Sequence, residues 1–398
     1  MNRVFLLGAG ASRELRFNIS TLDYPNGLKT DKFMEYGPLS NGFFFDSNNL
    51  SQLVNKRLPL AVNLKASDDL MEYVREYYKT KFGETITKED ILSNEKISRR
   101  INIEKLYLHI EETIRDFESK KSEKQEFDPD SPLIKLSMVK NDLLEYIYES
   151  LSLVCYYCFS IYHNILASYI LKYGGEVISF NWDILLDEAM NDTGKWNYEE
   201  GYGIEFKDAV HKYKENEDSA SQNKSNNLIL KTHGSINWYN RATGEDGLYL
   251  FVPLKKNLRG GALDTLRVYE YDNDRNQYFT SIVPPGIKRK TYPEIWARIK
   301  ETLKNADEII AIGFSFNDND DYVKEELQGF NFKRDLKISL VNPEADSLIE
   351  IYKKVFKTDK VSKIFNTLGD YCNWIVKQAE MEELASVLNY PIKKLLRQ

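Results

Sequence analysis

The chain has 398 residues, enough for two or three domains, and its 42% hydrophobic and 29% charged residues are typical of a globular protein. A formal net charge of −7 disfavours non-specific nucleic-acid binding as the main role, and no sequence-specific nucleic-acid partner is predicted. Three cysteines exclude a disulfide framework and favour a reducing, cytoplasmic environment.

The first predicted element is an apolar strand that begins at Val4 and breaks into a turn containing Gly8 and Gly10. A glycine turn after a buried strand lets backbone N–H groups approach a pyrophosphate, and a following helix adds a favourable dipole. Only two glycines of a dinucleotide fingerprint are present, because Ala11, Ser12 and Arg13 follow where the third would be sought. A turn that merely ends a buried strand is the alternative.

The middle of the chain is predicted to be mainly helical, because apolar side chains recur there at helical spacing. Ser67 precedes one apolar stripe and Gly83 is its expected stop, while Asn102 is expected to cap the next helix. Ser131, followed by a proline, predicts the start of a long helix that ends near Gly174.

The least charged stretch, from Leu151 to Leu171, is close to the length of a membrane span. It contains several serines and tyrosines and leads directly into a predicted strand, so a buried helix is favoured over a transmembrane helix. Cys155 and Cys158 lie in it at C-x-x-C spacing, but the chain has no second pair to complete a zinc site. We interpret them as small apolar core residues.

Beyond this helix, short apolar runs alternate with helical segments, as in a largely parallel sheet. The fold class is therefore predicted to be α/β, with a Rossmann-like, mostly parallel sheet flanked by helices and a large all-helical insert. The predicted strands after the first are 177–180, 228–230, 248–251, 309–312 and 338–341. Residues 212–227 are predicted to form a loop, and the tail from Glu344 to Gln398 is predicted to be helical.

These elements divide the chain into three predicted parts. Residues 1–59 and 173–345 form the α/β domain, residues 60–172 form the helical insert, and residues 346–398 form C-terminal helices packed on the α/β domain. The insert is rich in Tyr, Phe and Leu, which makes it the expected oligomerisation surface and predicts a homo-oligomer.

Polar residues follow the predicted strands at the edge where open α/β sheets bind ligands. Asn181 can donate and accept hydrogen bonds and Asp183 can accept them, although an Asx turn that caps the next helix would also explain this pair. His233 precedes a glycine after another strand and can act as a general base near neutral pH, a structural histidine being the alternative. The acidic cluster from Asp318 to Asp321 lacks a recognisable ligand spacing, so no metal site is predicted.

The order of six short motifs resembles the sirtuin-like NAD-binding family, in particular its bacterial antiphage-defence members rather than the protein deacylases. The resemblance extends from residue 4 to about residue 345 and leaves out the helical segment. The motifs are Gly8-Ala-Gly10-Ala-Ser12, Phe180-Asn-Trp-Asp183, Thr232-His-Gly-Ser235, Val283-Pro-Pro285, Ile312-Gly-Phe-Ser315 and Val341-Asn-Pro343.

The resemblance implies an NAD site without a metal, and a role for each matched residue. Asn181 would hold the nicotinamide ribose and an attacking water, Asp183 would bind the nicotinamide amide, and His233 would act as the base. The residues that would bind the rest of NAD are Gly8, Gly10, Ala11 and Ser12 at the pyrophosphate and Gly313, Ser315 and Asn342 along the adenosine half.

Two departures from the family pattern bear on the reaction. The two C-x-x-C pairs of the zinc ribbon are missing, and Arg13-Glu-Leu-Arg16-Phe17 replaces the Gly-Ile-Pro-Asp-Phe-Arg continuation of the first motif. Without the ribbon an acyl-lysine peptide has no obvious docking edge, so water becomes the expected acceptor. The resemblance thus implies an NAD glycohydrolase that releases nicotinamide and ADP-ribose.

Other functions stay open at this point. A protein deacylase or ADP-ribosyltransferase is the enzymatic alternative, and a module that senses NAD or ADP-ribose without turnover is the non-catalytic one. A dehydrogenase is disfavoured, because the first turn lacks the full fingerprint and no acidic ribose partner is evident. The resemblance further implies NAD depletion in antiphage defence, controlled by assembly or by a HerA-type ATPase partner. No signal peptide is predicted, because the charged start leads into a strand too short for the apolar region of such a peptide, and the protein is expected to be cytoplasmic.

Overall fold

The computed structural model describes residues 2–13, 16–17, 40–57, 64, 66–120, 131–211, 226–241, 247–252, 278–286, 292–316 and 320–378. The predicted loop at 212–227 lies almost wholly outside these residues. None of the helices in the described ranges is long and apolar enough to cross a membrane.

A six-stranded sheet forms the centre of the molecule, and every pair of neighbouring strands in it runs parallel. Its strands, in spatial order, are β12 (Val361–Phe365), β11 (Lys337–Val341), β10 (Glu308–Ile312), β1 (Arg3–Leu7), β4 (Glu176–Ser179) and β6 (Ile229–Lys231). Because the strands are parallel, all six carboxyl ends lie at one edge. The predicted α/β fold class with a parallel sheet is confirmed.

A second, four-stranded sheet lies beside the first. Its strands, in spatial order, are β5 (Asp208–His211), β8 (Tyr249–Val252), β7 (Gly234–Arg241) and β9 (Tyr278–Ile282). Strand β8 is the run predicted at 248–251, so its assignment to the main parallel sheet was wrong. The connection from β7 to β8 is shorter than the dozen or so residues that a parallel crossover needs, and β8 therefore returns antiparallel to β7.

One group of helices shares a hydrophobic core with the main sheet. These helices are α7 (Ile161–Tyr173), α8 (Leu185–Asn191), α9 (Tyr198–Gly201), α10 (Pro293–Asn305), α11 (Asp321–Gln328), α12 (Ala345–Phe356) and α13 (Leu368–Gln378). Strands β1, β10 and β11 at the centre of this group are mostly apolar, and every residue after the first in each of them is buried, as expected for a parallel sheet covered by helices.

A second group of helices, here called the helical layer, has a core of its own. Its members are α1 (Phe43–Arg57), α2 (Asp68–Phe82), α3 (Lys88–Ser93), α4 (Glu95–Ser98), α5 (Ile103–Lys120) and α6 (Pro132–Tyr157). This core also includes Ile236 and Ile282 of the four-stranded sheet, and the Tyr107 hydroxyl donates to the Ile282 carbonyl at 3.1 Å. Helices α2 to α6, which lie within the predicted insert of residues 60–172, therefore pack against a sheet, whereas α7, which begins within that range, packs on the main sheet.

The predicted helix boundaries in this layer are confirmed by their caps. The Ser67 hydroxyl accepts from the Leu70 N–H at 3.0 Å, and Gly83 ends α2 in the left-handed conformation with φ +71°. The Asn102 side chain accepts from the Lys105 N–H at 2.9 Å in the first turn of α5.

The single long helix predicted from Ser131 to Gly174 was wrong. Helix α6 ends at Tyr157, and two residues of a short strand, β3 (Cys158–Phe159), pair antiparallel with β2 (Arg16–Phe17) before α7 begins. The Ser160 hydroxyl accepts from the His163 N–H at 3.3 Å and caps the new helix. Ser160 was the available signal for this cap. Apolar residues recur at helical spacing on both sides of it, so the break between α6 and α7 was not recognisable from the sequence.

The tail is not helical throughout, because β12 lies between α12 and α13. In β12 moderately buried and exposed residues alternate, as on the edge strand of a sheet. It therefore lacks the continuous apolar run by which the other strands were recognised. The division of the chain into 1–59 with 173–345, 60–172 and 346–398 stays a prediction.

Candidate functional site

The carboxyl ends of the main strands surround a cavity of about 320 Å³, here called the larger cavity. The predicted site residues that line it are Gly8, Gly10, His233, Gly313, Ser315 and Asn342. A smaller cavity of about 40 Å³ adjoins it and is lined by Ser12, Asn181 and Asp183. Nine of the ten predicted residues thus lie together, and Ala11, whose side chain is buried in the main core, lines neither cavity.

The glycines of the first turn are required by contact between two turns. A Cβ atom on Gly8 would lie 2.5 Å from the Gly313 carbonyl oxygen. A Cβ atom on Gly313, which has φ +62°, would lie 2.3 Å from the Ala11 nitrogen. The turns after β1 and β10 are therefore in backbone contact, and side chains there would force them apart.

The N–H groups of this first turn already have acceptors within the protein. Gly8 donates to the Ile312 carbonyl at 3.0 Å, Gly10 to the Gly313 carbonyl at 3.2 Å, and Ala11 to the Gly8 carbonyl at 2.8 Å. A pyrophosphate in the larger cavity would have to compete with these bonds. The engaged donors argue against a backbone cradle at these three positions, although contact with Gly8 and Gly10 stays a prediction.

Arg13 lies directly after the turn, and the sequence indicated it only as a departure from the glycine fingerprint and from the family pattern. Its exposed side chain lines the larger cavity, and among the described residues it is the only lysine or arginine there. The acidic residues that line the same cavity are Glu104, Asp320 and Glu344. A cation immediately after a glycine turn was the signal that could have identified it.

A hydrogen-bonded group joins the first turn to the turn after β4. The buried Ser12 hydroxyl donates to Asp183 Oδ2 at 2.8 Å and accepts from Asn181 Nδ2 at 3.1 Å. Asp183 Oδ1 accepts from the Leu185 N–H at 3.1 Å, which closes an Asx turn directly before α8. Asn181 Oδ1 is buried and has no hydrogen-bond partner among the described residues.

His233 follows β6 and is buried beside the larger cavity. Burial disfavours the imidazolium and lowers the pKa of His233 to about 4, so the ring is neutral at neutral pH. Its Nε2 atom is buried without a hydrogen-bond partner in the described part of the chain. The His233 carbonyl accepts from the Val283 N–H at 2.9 Å, which fixes the backbone beneath the ring. A neutral imidazole held this way can accept a proton.

A buried ion pair, which was not predicted from the sequence, contacts the turn after β4. Lys231 is fully buried, donates to the backbone carbonyl of Asp183, and pairs with Asp187 Oδ1 at 3.3 Å. The Tyr202 hydroxyl also donates to Asp187, whose pKa is raised by burial and held down in part by Lys231. A lysine at the end of an apolar strand was the available signal.

Other lining residues come from elements that were not predicted to reach the site. Asn366 and Thr367 follow β12, the strand that sequence reasoning missed, and line the larger cavity. Glu104 lies in α5 of the helical layer, and Ser40 lies just before α1. Both residues line the larger and the smaller cavity. The Ser40 hydroxyl donates to Glu104 Oε1 at 2.7 Å.

Comparison with solved structures finds Sir2 homologues. A Sir2 homologue in complex with NAD is 14% identical, with 65% of this chain and 77% of that chain covered and a TM-score of 0.36. A Sir2 homologue mutant in complex with ADP-ribose is 14% identical, with 63% and 80% covered and a TM-score of 0.37. No family model and no curated protein matches the chain. At this level of similarity, the function has to follow from the residues of this chain.

Proposed function

We propose that this protein binds NAD⁺ across the two cavities and hydrolyses it to nicotinamide and ADP-ribose. One observation carries the proposal: Asn181 and His233 line adjoining cavities, and Asn181 Oδ1 and His233 Nε2 are buried polar atoms without hydrogen-bond partners in the described part of the chain. Buried polar atoms are almost always hydrogen-bonded, so a pair left over at a cavity indicates a ligand.

The sizes of the cavities suit the two ends of NAD⁺. The smaller cavity of about 40 Å³ has room for roughly three water molecules, which is the size of a carboxamide group. The larger cavity of about 320 Å³ takes the ADP-ribose half, with Arg13 beside the first turn to meet the phosphates. The junction of the two cavities then holds the bond between nicotinamide and ribose.

In this arrangement the chain supplies orientation and a proton acceptor. The glycosidic C–N bond breaks with its electron pair passing to the nicotinamide nitrogen, and positive charge develops on the ribose. Asn181 Oδ1 orients the attacking water, and His233 Nε2 accepts the proton that the water loses as its oxygen bonds to the ribose carbon. The products are neutral nicotinamide, ADP-ribose and one proton.

Water is proposed as the acceptor because of the sequence. With three cysteines the chain cannot supply the two C-x-x-C pairs of a zinc ribbon, so the docking edge for an acyl-lysine peptide in the deacylases has no counterpart among its motifs. The family resemblance of the motifs supports NAD as the substrate.

The test is nicotinamide release from NAD⁺ by wild type, Asn181→Ala and His233→Ala, with the exposed His109→Ala as the matched histidine control. We expect wild-type rates for the control and a loss on the order of 10²–10⁴-fold for the two site variants. Equal rates in all four proteins would refute the assignment. Release that requires an added acyl-lysine peptide would indicate a deacylase, and binding of NAD⁺ without turnover would indicate a sensing module.

We further propose that this hydrolysis depletes NAD in antiphage defence, under the control of homo-oligomerisation or a HerA-type ATPase. The motif resemblance alone supports this step. Phage infection should lower the NAD content of cells that carry the wild-type chain with its ATPase, and not of cells that carry His233→Ala. Equal NAD content in the two cultures would refute the defence role.

A further inference from the structure

The helical layer brings a carboxylate to the site from outside the main sheet. Glu104 lies in the first turn of α5, where a negative charge is favoured by the helix dipole. The Ser40 hydroxyl donates to Glu104 Oε1 at 2.7 Å, and the Ser40 carbonyl accepts from the Ile103 N–H at 2.8 Å. Two hydrogen bonds thus hold Ser40 against the start of α5, and one of them orients the carboxylate.

Glu104 lies where the two cavities meet. It lines both of them, together with Ala9, Ser40 and Phe180. In the binding mode proposed above, this junction holds the bond between nicotinamide and ribose. The oxidised nicotinamide ring carries a positive charge, and that charge moves onto the ribose as the bond breaks. A carboxylate at the junction is therefore close to a cation in both the ground state and the transition state.

No other described carboxylate lines both cavities. Asp183 lines the smaller cavity only, where its oxygens accept from the Ser12 hydroxyl and the Leu185 N–H. Asp320 and Glu344 line the larger cavity but not the smaller one. Among the described residues, Glu104 is the carboxylate whose position fits the nicotinamide–ribose unit.

We propose that Glu104 is a catalytic and specificity-determining residue of this site, which selects the cationic, oxidised nicotinamide and stabilises the positive charge on the ribose during bond cleavage. This inference rests on the proposed binding of NAD⁺. Glu104 forms no covalent bond in this step. The electron pair of the broken bond leaves with nicotinamide, and the proton of the attacking water goes to His233.

The first test measures binding, without turnover. NADH has nearly the same shape as NAD⁺ but an uncharged ring. An NAD⁺ analogue with a carbocyclic ribose keeps the cation but cannot form the ribosyl cation. Calorimetry should show that wild type binds the analogue at least about tenfold more tightly than NADH. Glu104→Gln keeps an acceptor for Ser40 but should lose this preference, while Glu112→Gln on the exposed face of α5 should keep it.

The second test measures turnover by nicotinamide release. Glu104→Gln should lower kcat by about 10- to 100-fold, with ADP-ribose binding within about threefold of wild type. Glu104→Asp keeps the charge and should recover part of kcat, and a merely structural Glu104 would show no such dependence on charge.

The outcomes separate this inference from the proposed function. If wild type binds the analogue but releases no nicotinamide, hydrolysis is refuted, and the ratio of analogue to NADH binding still tests Glu104. An unchanged ratio in Glu104→Gln, with native circular dichroism, overturns the role of Glu104 even when NAD⁺ is hydrolysed. If wild type binds neither ligand, both proposals fall.

Discussion

The turn after β1 and the turns after β4 and β6 lie at the same edge of one sheet, yet they differ in what they offer a ligand. In the first turn the N–H groups of Gly8, Gly10 and Ala11 are bonded to protein carbonyls, and backbone packs against backbone. In the other turns, Asn181 and His233 each keep a buried polar atom without a partner among the described residues. The glycine motif therefore marks packing between turns, and the candidate chemistry lies in the less conspicuous polar turns.

Among the substitutions that test this contrast, Gly313→Ala is expected to cause the largest loss of stability. Its φ of +62° is strained for alanine, and the added Cβ would meet the Ala11 nitrogen at 2.3 Å. We expect a loss of about 3–4 kcal/mol in the free energy of unfolding, measured by denaturant titration. Gly83→Ala is the matched control, because Gly83 has φ +71° with nothing near its Cβ position, and about 1 kcal/mol is expected there. Similar losses in both variants would contradict the close packing of the two turns.

The second prediction uses pH, since two of the buried groups near the polar turns are histidines. Burial lowers the pKa of His163 and of His233 to about 4, while the unfolded chain keeps a pKa near 6.5. The unfolded state therefore binds protons first, and stability is lost as the pH falls from about 6.5 towards 4. Between pH 7.5 and pH 5 each histidine should remove about 2 kcal/mol.

Urea unfolding of wild type and His163→Gln at both pH values checks this loss. The variant should lose about 2 kcal/mol less than wild type between the two pH values, whatever its stability at pH 7.5. The same pH dependence in both proteins would mean that His163 is not held neutral by burial.

The sequence predicted some strands and site residues of this protein and not others, and the difference has a physical reason. The apolar strands and the polar residues after β4 and β6 were recognisable, because buried parallel strands are continuous apolar runs and their carboxyl ends form one edge. The edge strand β12 was not, since exposed side chains interrupt its pattern. Asn366 and Thr367, which follow β12 and line the larger cavity, were therefore not predicted either. Glu104 was out of reach for another reason, because its place at the site depends on how the helical layer packs.

A smaller effect is expected at the link between the two kinds of turn. Ser12→Ala removes the hydroxyl that bonds both Asp183 and Asn181, and leaves Asp183 Oδ2 without that bond in a buried place. Thermal and urea unfolding should show a loss of about 1–2 kcal/mol. Ser168→Ala is the control, because the Ser168 hydroxyl is buried without a partner in the described structure, and its removal should be neutral or stabilising. A loss of equal size in the control would leave the Ser12 bonds without a measurable role.

The smallest effect is expected at Arg13, and it tests the contrast most directly. If the N–H groups of the first turn stay bonded to the protein, the phosphates of the ligand depend on this exposed side chain. Arg13→Gln should weaken ADP-ribose binding about fivefold, or about 1 kcal/mol, and Arg13→Lys should recover most of it. The loss should shrink as salt is raised and should be absent for nicotinamide riboside, which has no phosphate. The exposed Arg334→Gln serves as the control for net charge. If Arg13→Gln binds ADP-ribose as tightly as wild type at low salt, the first turn must open its own N–H groups to the phosphates, and the contrast between the two kinds of turn no longer holds once a ligand is bound.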